Sequence, residues 1–401
     1  MGHAPPHPPE LSTVLRTRDP LPVVVALLAI GVDIGLARLG YGLLLPAIRA
    51  DLGGSYGTYG LIGALHLAGY LGGTLAAPPL LRDRVRIPRV IAVAHVVVAL
   101  SVAASAAATG ALSLLLARVV IGFASGIGVA AVITEMLERV PVARRGLASG
   151  IAWGGAGLAL VVSAPAGAWA LGDPSRWRIA TLLCALPALA IAALAMRLAP
   201  PEPVTGGGAA GDTPFGWRDL LRARNAFFVA AYASFGIAYI AYATFAVAAF
   251  AARGVPPPVV TAMWSALGLA SVAGALAVVP VLAGRAARYS FVLPLAAGAL
   301  GCWISSRPGA AAPVAGAICV GIGLAATPAV ASAFARMRSD AATAAVAYTA
   351  VTTVFGAGQL VGPLAAGVVA DRAGLAAVPL FAAIVFACGT AAAAVDARLA
   401  R

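Results

Sequence analysis

The sequence predicts an all-α membrane protein with twelve transmembrane helices in two pseudo-symmetric six-helix bundles. Three observations carry that prediction. Only 10% of the 401 residues are charged and 61% are hydrophobic, against about 25% charged in a soluble domain, so the chain could not cover a water-facing surface. The apolar residues fall in runs close to the ~20 residues that a helix needs to cross the hydrocarbon core. Between those runs the arginines alternate, many and then few.

The elements follow in order. Residues 1–20, with the Pro-rich MGHAPPHPPE that holds His3 and His7, read as a disordered tail. The first apolar run, 22–46, is too long and glycine-rich for a cleaved signal peptide; it is a retained span carrying Asp33, Arg38 and Tyr41. Span 2, 57–80, has His66 near its middle and is followed by the basic loop LLRDRVRIPR with Asp83 and Arg84. Span 3, 88–108, carries His95; span 4, 112–134, carries Arg118 and ends at Glu135, near Arg139, Arg144 and Arg145. Span 5, 147–171, contains Trp153, Pro165 and the glycines from Gly154 to Gly157, which suit close helix packing. Span 6 covers 178–198.

Residues 199–224 form the longest hydrophilic stretch. PPEPVTGGGAAGDTP is a flexible linker by composition, and FGWRDLLRAR is a short amphipathic basic segment suited to the membrane interface. No Lys-Ser/Thr follows the glycines, so they are not a phosphate loop. Six more runs follow at 226–251, 258–283, 289–305, 311–334, 343–369 and 375–395, then a tail at 397–401. The domains are thus 21–198 and 225–396. Gly122 and Gly321 lie 199 residues apart, and the pairs Pro165/Pro363 and Tyr41/Tyr239 each lie 198 apart. A repeat of half the chain split by a linker fits a transporter built from two related halves.

Charge placement sets the topology. All 27 basic residues are arginine; with the N-terminus inside, nineteen fall in cytoplasmic segments, six in outer loops, and Arg38 and Arg118 within spans. That bias places both termini in the cytoplasm. The absence of lysine removes a Walker A motif and Schiff-base chemistry. Nucleic-acid binding is not expected, because the arginines do not cluster on one soluble domain. Cys184, Cys302, Cys319 and Cys388 all lie in predicted spans without a CxxC pair, which reads as buried thiols rather than a disulfide or zinc framework. No HExxH and no nucleophilic triad pattern is present, so no enzyme activity, metal or cofactor is expected.

An ionisable group inside a span costs about 2.5–3.5 kcal/mol on insertion scales and needs a reason. All such groups fall in the N-terminal half: Asp33, Arg38, His66, His95, Arg118 and Glu135. At 1.5 Å per residue, Arg38 lies about 12 Å and Arg118 about 9 Å from the outer face. One reading makes them a cationic site for an anionic substrate group, with Asp33 as a titratable partner; the other is a structural charge cluster. Asp33 and Arg38 are about 140° apart on an ideal helix, so Asp33 should face another helix or a cavity. Glu135 suits an interfacial salt bridge. His66 could handle protons or simply pack, and His95 reads as structural. The stripe Tyr232, Phe235, Tyr239 and Tyr242 recurs at helical spacing and either faces a cavity, where tyrosines can stack on and hydrogen-bond a substrate, or packs. Trp153, Trp264 and Gln359 are weaker candidates of the same kind.

LARVVIGFASGIG in span 4, LLRDRVRIPR after span 2 and GAGQLVGPLAAGVVADRAG in span 11 resemble motifs of the major facilitator superfamily. More narrowly, GLARLGYGLLLPAIRADLG, GALHLAGYLGG and YASFGIAYIAYATF resemble its bacterial YbfB/YjiJ-like branch. Arg118 falls on the superfamily's fourth-helix arginine, Asp83 and Arg84 on its loop Asp-Arg, and Arg38 on the branch's arginine after the first-helix glycines; His66 stands where the branch has Asn. The resemblance implies secondary transport of a small molecule in the bacterial cytoplasmic membrane by a monomer whose partners are substrate, protons and lipid. The expected assignment is substrate binding by Arg38, Arg118, Tyr41, His66, Trp153, Tyr232, Tyr239, Tyr242 and Gln359. Proton coupling is expected at Asp33 and His66, and gating at Asp83, Arg84, Glu135, Arg144 and Arg145. A small organic anion is the preferred cargo. Export of cationic compounds with Asp33 as the cation site is the alternative, and a non-transporting receptor or membrane enzyme the more distant one.

Overall fold

The computed structural model describes residues 20–141, 144–198, 225–282, 289–337 and 344–399. The expected N-terminal tail up to residue 19, the 199–224 linker with its amphipathic segment and the last two residues of the C-terminal tail lie outside that set. The described chain is helical: α1 (Leu21–Leu52), α2 (Tyr56–Leu80), α3 (Ile87–Ala106), α4 (Ala111–Arg139) and α5 (Arg145–Gly172). Next come α6, in two pieces (Trp177–Leu183 and Ala185–Ala195), then α7 (Ala226–Ala252), α8 (Pro257–Leu282) and α9 (Val292–Ser305). The last are α10 (Ala312–Met337), α11 (Ala344–Ala373) and α12 (Ala377–Leu399). Among the described residues, ten helices are long and apolar enough to cross a membrane, and Val292–Ser305 and Ala312–Pro328 are shorter apolar helices.

Local chemistry explains the breaks and ends. Pro187 lacks an N–H and its ring crowds the carbonyl four residues back, and α6 is interrupted one turn earlier, at Cys184. Gly53 and Gly54 adopt positive φ (70° and 91°) and reverse the chain within the short gap between α1 and α2. Side chains such as Val162 (77% exposed) stand on the outside of the assembly, as helices bathed by lipid require. Cys388 is exposed on α12, which corrects the expectation of a buried thiol; Cys302 is buried. Two ends differ from the sequence reading. α1 continues to Leu52, so Arg38 lies about 21 Å rather than 12 Å from that end. α12 continues to Leu399 and buries Asp396 within it.

Glycines bring the first and second halves of the chain together. A Cβ on Gly42 of α1 would lie 2.1 Å from the Ala243 carbonyl of α7, and one on Gly60 of α2 would lie 2.3 Å from the Pro363 carbonyl of α11. Gly157 of α5 and Gly268 of α8 abut each other's carbonyls at 2.7 and 2.4 Å in the same sense. These backbones touch because no side chain separates them. The contacts run from mid-helix to the end that carries Asp51, Tyr56 and Asp371, where Tyr56 also packs edge-on against Phe245.

Candidate functional site

The site starts from an irregularity in α1. Gly31–Leu39 winds as a π-helix, and the Gly40 N–H bonds the Gly35 carbonyl five residues back. Gly31 and Gly35 sit against α5, where a Cβ on Gly35 would lie 2.3 Å from the Ala159 Cβ. The ideal-helix angle between Asp33 and Arg38 therefore does not apply, since the register changes in this stretch. π segments are rare and concentrate at functional positions.

Arg38 leaves this segment toward the second half of the chain. Its Nη2 donates to Tyr239 Oη of α7 and, at 2.5 Å, to Gln359 Oε1 of α11. Gln359 Nε2 in turn donates to Tyr239 Oη at 2.9 Å. Three helices thus meet on one guanidinium. Arg118 reaches the same region from α4: its Nη1 donates to the Ala37 carbonyl at 2.6 Å, and its guanidinium lies 4.5 Å from the Tyr41 ring centroid. His66 Nδ1 donates to the Arg118 carbonyl at 2.9 Å, and Tyr41 Oη donates to the Tyr59 carbonyl at 2.9 Å. Arg38, Tyr41, His66, Arg118, Thr244 and Pro363 line one narrow cavity of about 10 Å³ between the halves, room for about one water molecule and far below the ~300–1,000 Å³ usual for ligand sites.

The electrostatics are one-sided. Arg38 and Arg118 are 8% and 6% exposed, and among the described residues neither pairs with a carboxylate. The Nε of each, and His66 Nε2, have no hydrogen-bond partner there. Asp33 does not join them, contrary to the expectation of a shared cluster. Its Oδ1 accepts from Ser125 Oγ at 3.0 Å and its Oδ2 lies 3.4 Å from His95 Nε2, all fully buried between α1, α3 and α4.

Other expected site residues fall elsewhere. Tyr232 is buried in an aromatic stack with Phe235 and Phe355, and Tyr242 bonds Ser305 of α9 at 3.0 Å. α7 is enclosed on nearly all sides, so residues on one of its faces meet different neighbours. Trp153 is 47% exposed and outside the arginine pocket, and Trp264 is fully buried. Asp83 caps the Val85 N–H and pairs with Arg86 at 2.8 Å, while Arg84 pairs with Glu138 at 3.3 Å. Glu135 pairs with Arg139 one turn on, and Arg145 Nε donates to the Val140 carbonyl at 3.2 Å, next to Arg144 in sequence. Among the described residues, these partners of Asp83, Arg84, Glu135 and Arg145 lie in the first half of the chain.

A family model described as "Uncharacterised MFS-type transporter YbfB" matches residues 30–395. The chain belongs to this family of MFS-type transporters. No curated protein matches its sequence. Solved structures share the fold at low identity. A point mutant of the nucleoside transporter NupG superposes with a TM-score of 0.76 at 13% identity, covering 94% of this chain and 99% of that one. A bacterial homologue of the human lysosomal transporter Spinster, inward-facing and unoccupied, gives 0.69 at 14% identity, covering 96% and 98%.

Two features of this MFS-type transporter escape sequence reading. Asp371, at the end of α11, accepts from the Tyr56 and Gly57 N–H groups at 2.8 and 2.7 Å. With Ser55 Oγ accepting from the Thr58 N–H at 3.1 Å, the first amides of α2 are satisfied partly by a residue from the opposite half. The other feature is His95, read as structural, which meets Asp33. Its only signal in the sequence was an ionisable side chain within a span.

Proposed function

We propose that the chain is a secondary active transporter that moves a small organic anion across the bacterial inner membrane by proton-coupled alternating access. In this reading both termini are cytoplasmic, and twelve spans form two six-helix bundles, 21–198 and 225–396, that rock about the site between them. The protein acts as a monomer with substrate, protons and lipid as its partners. The observation that carries the proposal is the pair of buried guanidiniums, Arg38 and Arg118, facing one pocket without a carboxylate among the described residues. A buried charge is costly unless paired, and a substrate carboxylate or phosphate would supply the missing charge and the acceptors for both unpartnered Nε atoms. Because Asp33 bonds elsewhere, the pocket presents two positive charges rather than a net one.

Entry of the anion exchanges the bonds of Arg38 to Tyr239 and Gln359 for bonds to substrate. Those two residues belong to the second half of the chain, so the exchange links occupancy to the relation between halves. Export of cations through Asp33 is the weaker reading, since a cation site there would need access to a carboxyl that is fully buried against Ser125. The test is a thermal-shift screen of purified protein against organic acids, phosphate esters, sugars, nucleosides and lipophilic cations. Stabilisation by anions that disappears in Arg118→Ala, with the variant still folded, is the expected result. Stabilisation by neutral or cationic compounds that survives Arg118→Ala would overturn it.

A further inference from the structure

We propose that Asp33 and His95 form a proton-holding pair with one exchangeable proton shared between Asp33 Oδ2 and His95 Nε2. The inference rests on the proton-coupled reading above and assigns its proton site to His95 rather than to His66. Hydrogen-bond chemistry requires the shared proton. His95 Nδ1 lies 2.8 Å from the Ile91 carbonyl, and a carbonyl oxygen can only accept, so Nδ1 carries hydrogen. Nε2 then presents either a lone pair or a second N–H toward Asp33 Oδ2, 3.4 Å away. Two lone pairs facing each other would leave both atoms unsatisfied in a fully buried site, and both atoms otherwise lack a partner. One proton between them satisfies both, either as carboxylate with imidazolium or as carboxylic acid with neutral imidazole. The backbone leaves room for the pair: a Cβ on Gly128 of α4 would stand 3.2 Å from Asp33 Oδ2 and 3.2 Å from His95 Cε1.

The proton count fixes the charge. With one proton the pair is neutral; without it the pair carries one negative charge, the proton leaving to water through whichever side is open. Titratable and charged neighbours come from every element packed nearby. On α1 this is Arg38; α2 presents His66; α4 presents Arg118, seven residues outward from Ser125, and Glu135 with Arg139, ten residues inward. On α6 it is Cys184, while α5 carries no titratable side chain beyond Arg145 at its start. Seven residues of helix put the pair about 10 Å from Arg118. At that distance and an effective dielectric near 20, one unit of charge changes anion affinity roughly tenfold, and the linkage is reciprocal. Proton and anion therefore favour each other's binding.

The test uses the full chain in lipid nanodiscs, labelled with 15N-histidine and carrying His3→Ala and His7→Ala, so that only His66 and His95 report. Solid-state spectra should show His95 with Nδ1 protonated and Nε2 hydrogen-bonded to the Asp33 carboxyl. In Asp33→Asn, Nε2 should become an ordinary unprotonated acceptor. A His95 Nε2 signal that shows no hydrogen bond in the wild type, or is unchanged by Asp33→Asn, overturns the pair. A second measurement follows the function. Spin labels on Thr109→Cys and Ala310→Cys in a cysteine-free background, both at exposed loop positions, read the separation of the halves by double electron–electron resonance. Its populations should change with pH in the wild type and in Glu135→Gln, and lose that dependence in Asp33→Asn and in His95→Gln, which keeps a donor toward Asp33 but does not titrate. Retained pH dependence in His95→Gln sinks the proposal. Loss of the anion screen's response with an intact His95–Asp33 signature would instead remove only the anion reading.

Discussion

Replacing Asp371 by Ala removes an anchor that ties α11 to the start of α2. Its two carboxylate oxygens accept from consecutive amides, Tyr56 at 2.8 Å and Gly57 at 2.7 Å, the first two N–H groups of α2. Hydrogen bonds to a charged group are worth about 1.5–3 kcal/mol, and removing an N-cap costs about 0.5–2 kcal/mol. Asp371 is exposed, so solvent screening keeps the loss near the lower values, about 1–2 kcal/mol. The carboxylate and the amides lie on opposite halves of the chain, so the loss falls on the conformation in which this end is closed. At 1.4 kcal/mol per tenfold, the ratio of separated to closed forms should rise about 5- to 30-fold. The labels on Thr109→Cys and Ala310→Cys would read this as growth of the longer distance. Ser55→Ala is the control: it strips a cap from the same helix end within the first half alone, and should lower thermal stability without moving the distance ratio. An unchanged distribution in folded Asp371→Ala, or an equal shift in Ser55→Ala, would refute the reasoning.

Two further predictions concern packing and the arginine site. Gly154 and Gly155 are neighbours, yet a Cβ on Gly154 meets nothing within 4 Å, whereas one on Gly155 would lie 1.9 Å from the Leu27 carbonyl of α1. Gly154→Ala should be neutral or slightly stabilising, and Gly155→Ala should cost about 1–3 kcal/mol or more through overpacking, read as a lowered melting temperature; equal effects would contradict the packing. Tyr239→Phe removes one acceptor from Arg38 and the acceptor of Gln359 Nε2, which should cost about 1–3 kcal/mol. In the anion screen, this variant should shift the midpoint for stabilising anions while Tyr242→Phe, whose hydroxyl bonds Ser305, should not.

Much of this was legible in the sequence for specific reasons. Arg38 and Arg118 stood out because a guanidinium in an apolar run is expensive, and both line the pocket. His66, Tyr41, Tyr239 and Gln359 were candidates that the structure brings into contact with those arginines or their backbone. Tyr232 and Tyr242 shared the helical spacing of Tyr239, but spacing defines a face and not its neighbours; α7 has neighbours all round, and each tyrosine meets a different one. Asp33 does face other helices, as its angle from Arg38 implied, but the shared charge cluster does not form, because its partners Ser125 and His95 come from α4 and α3 and no local pattern names them. Asp371 gave no signal, since a carboxylate near a helix end reads as a loop residue until the start of another helix is found across from it.

The sequence by itself determined the membrane class, the approximate helices and the few polar groups that needed a reason to be buried. These follow from hydrophobic length and from the cost of burying charge, both of which are properties of a short stretch of chain. Only the tertiary structure decided the partners. Arg38 meets Gln359 across 321 residues of sequence, and Asp33 meets Ser125 across 92. Whether a buried charge faces a pocket, a proton partner or a helix end depends on which distant backbone the glycines allow to come close, and no local pattern encodes that.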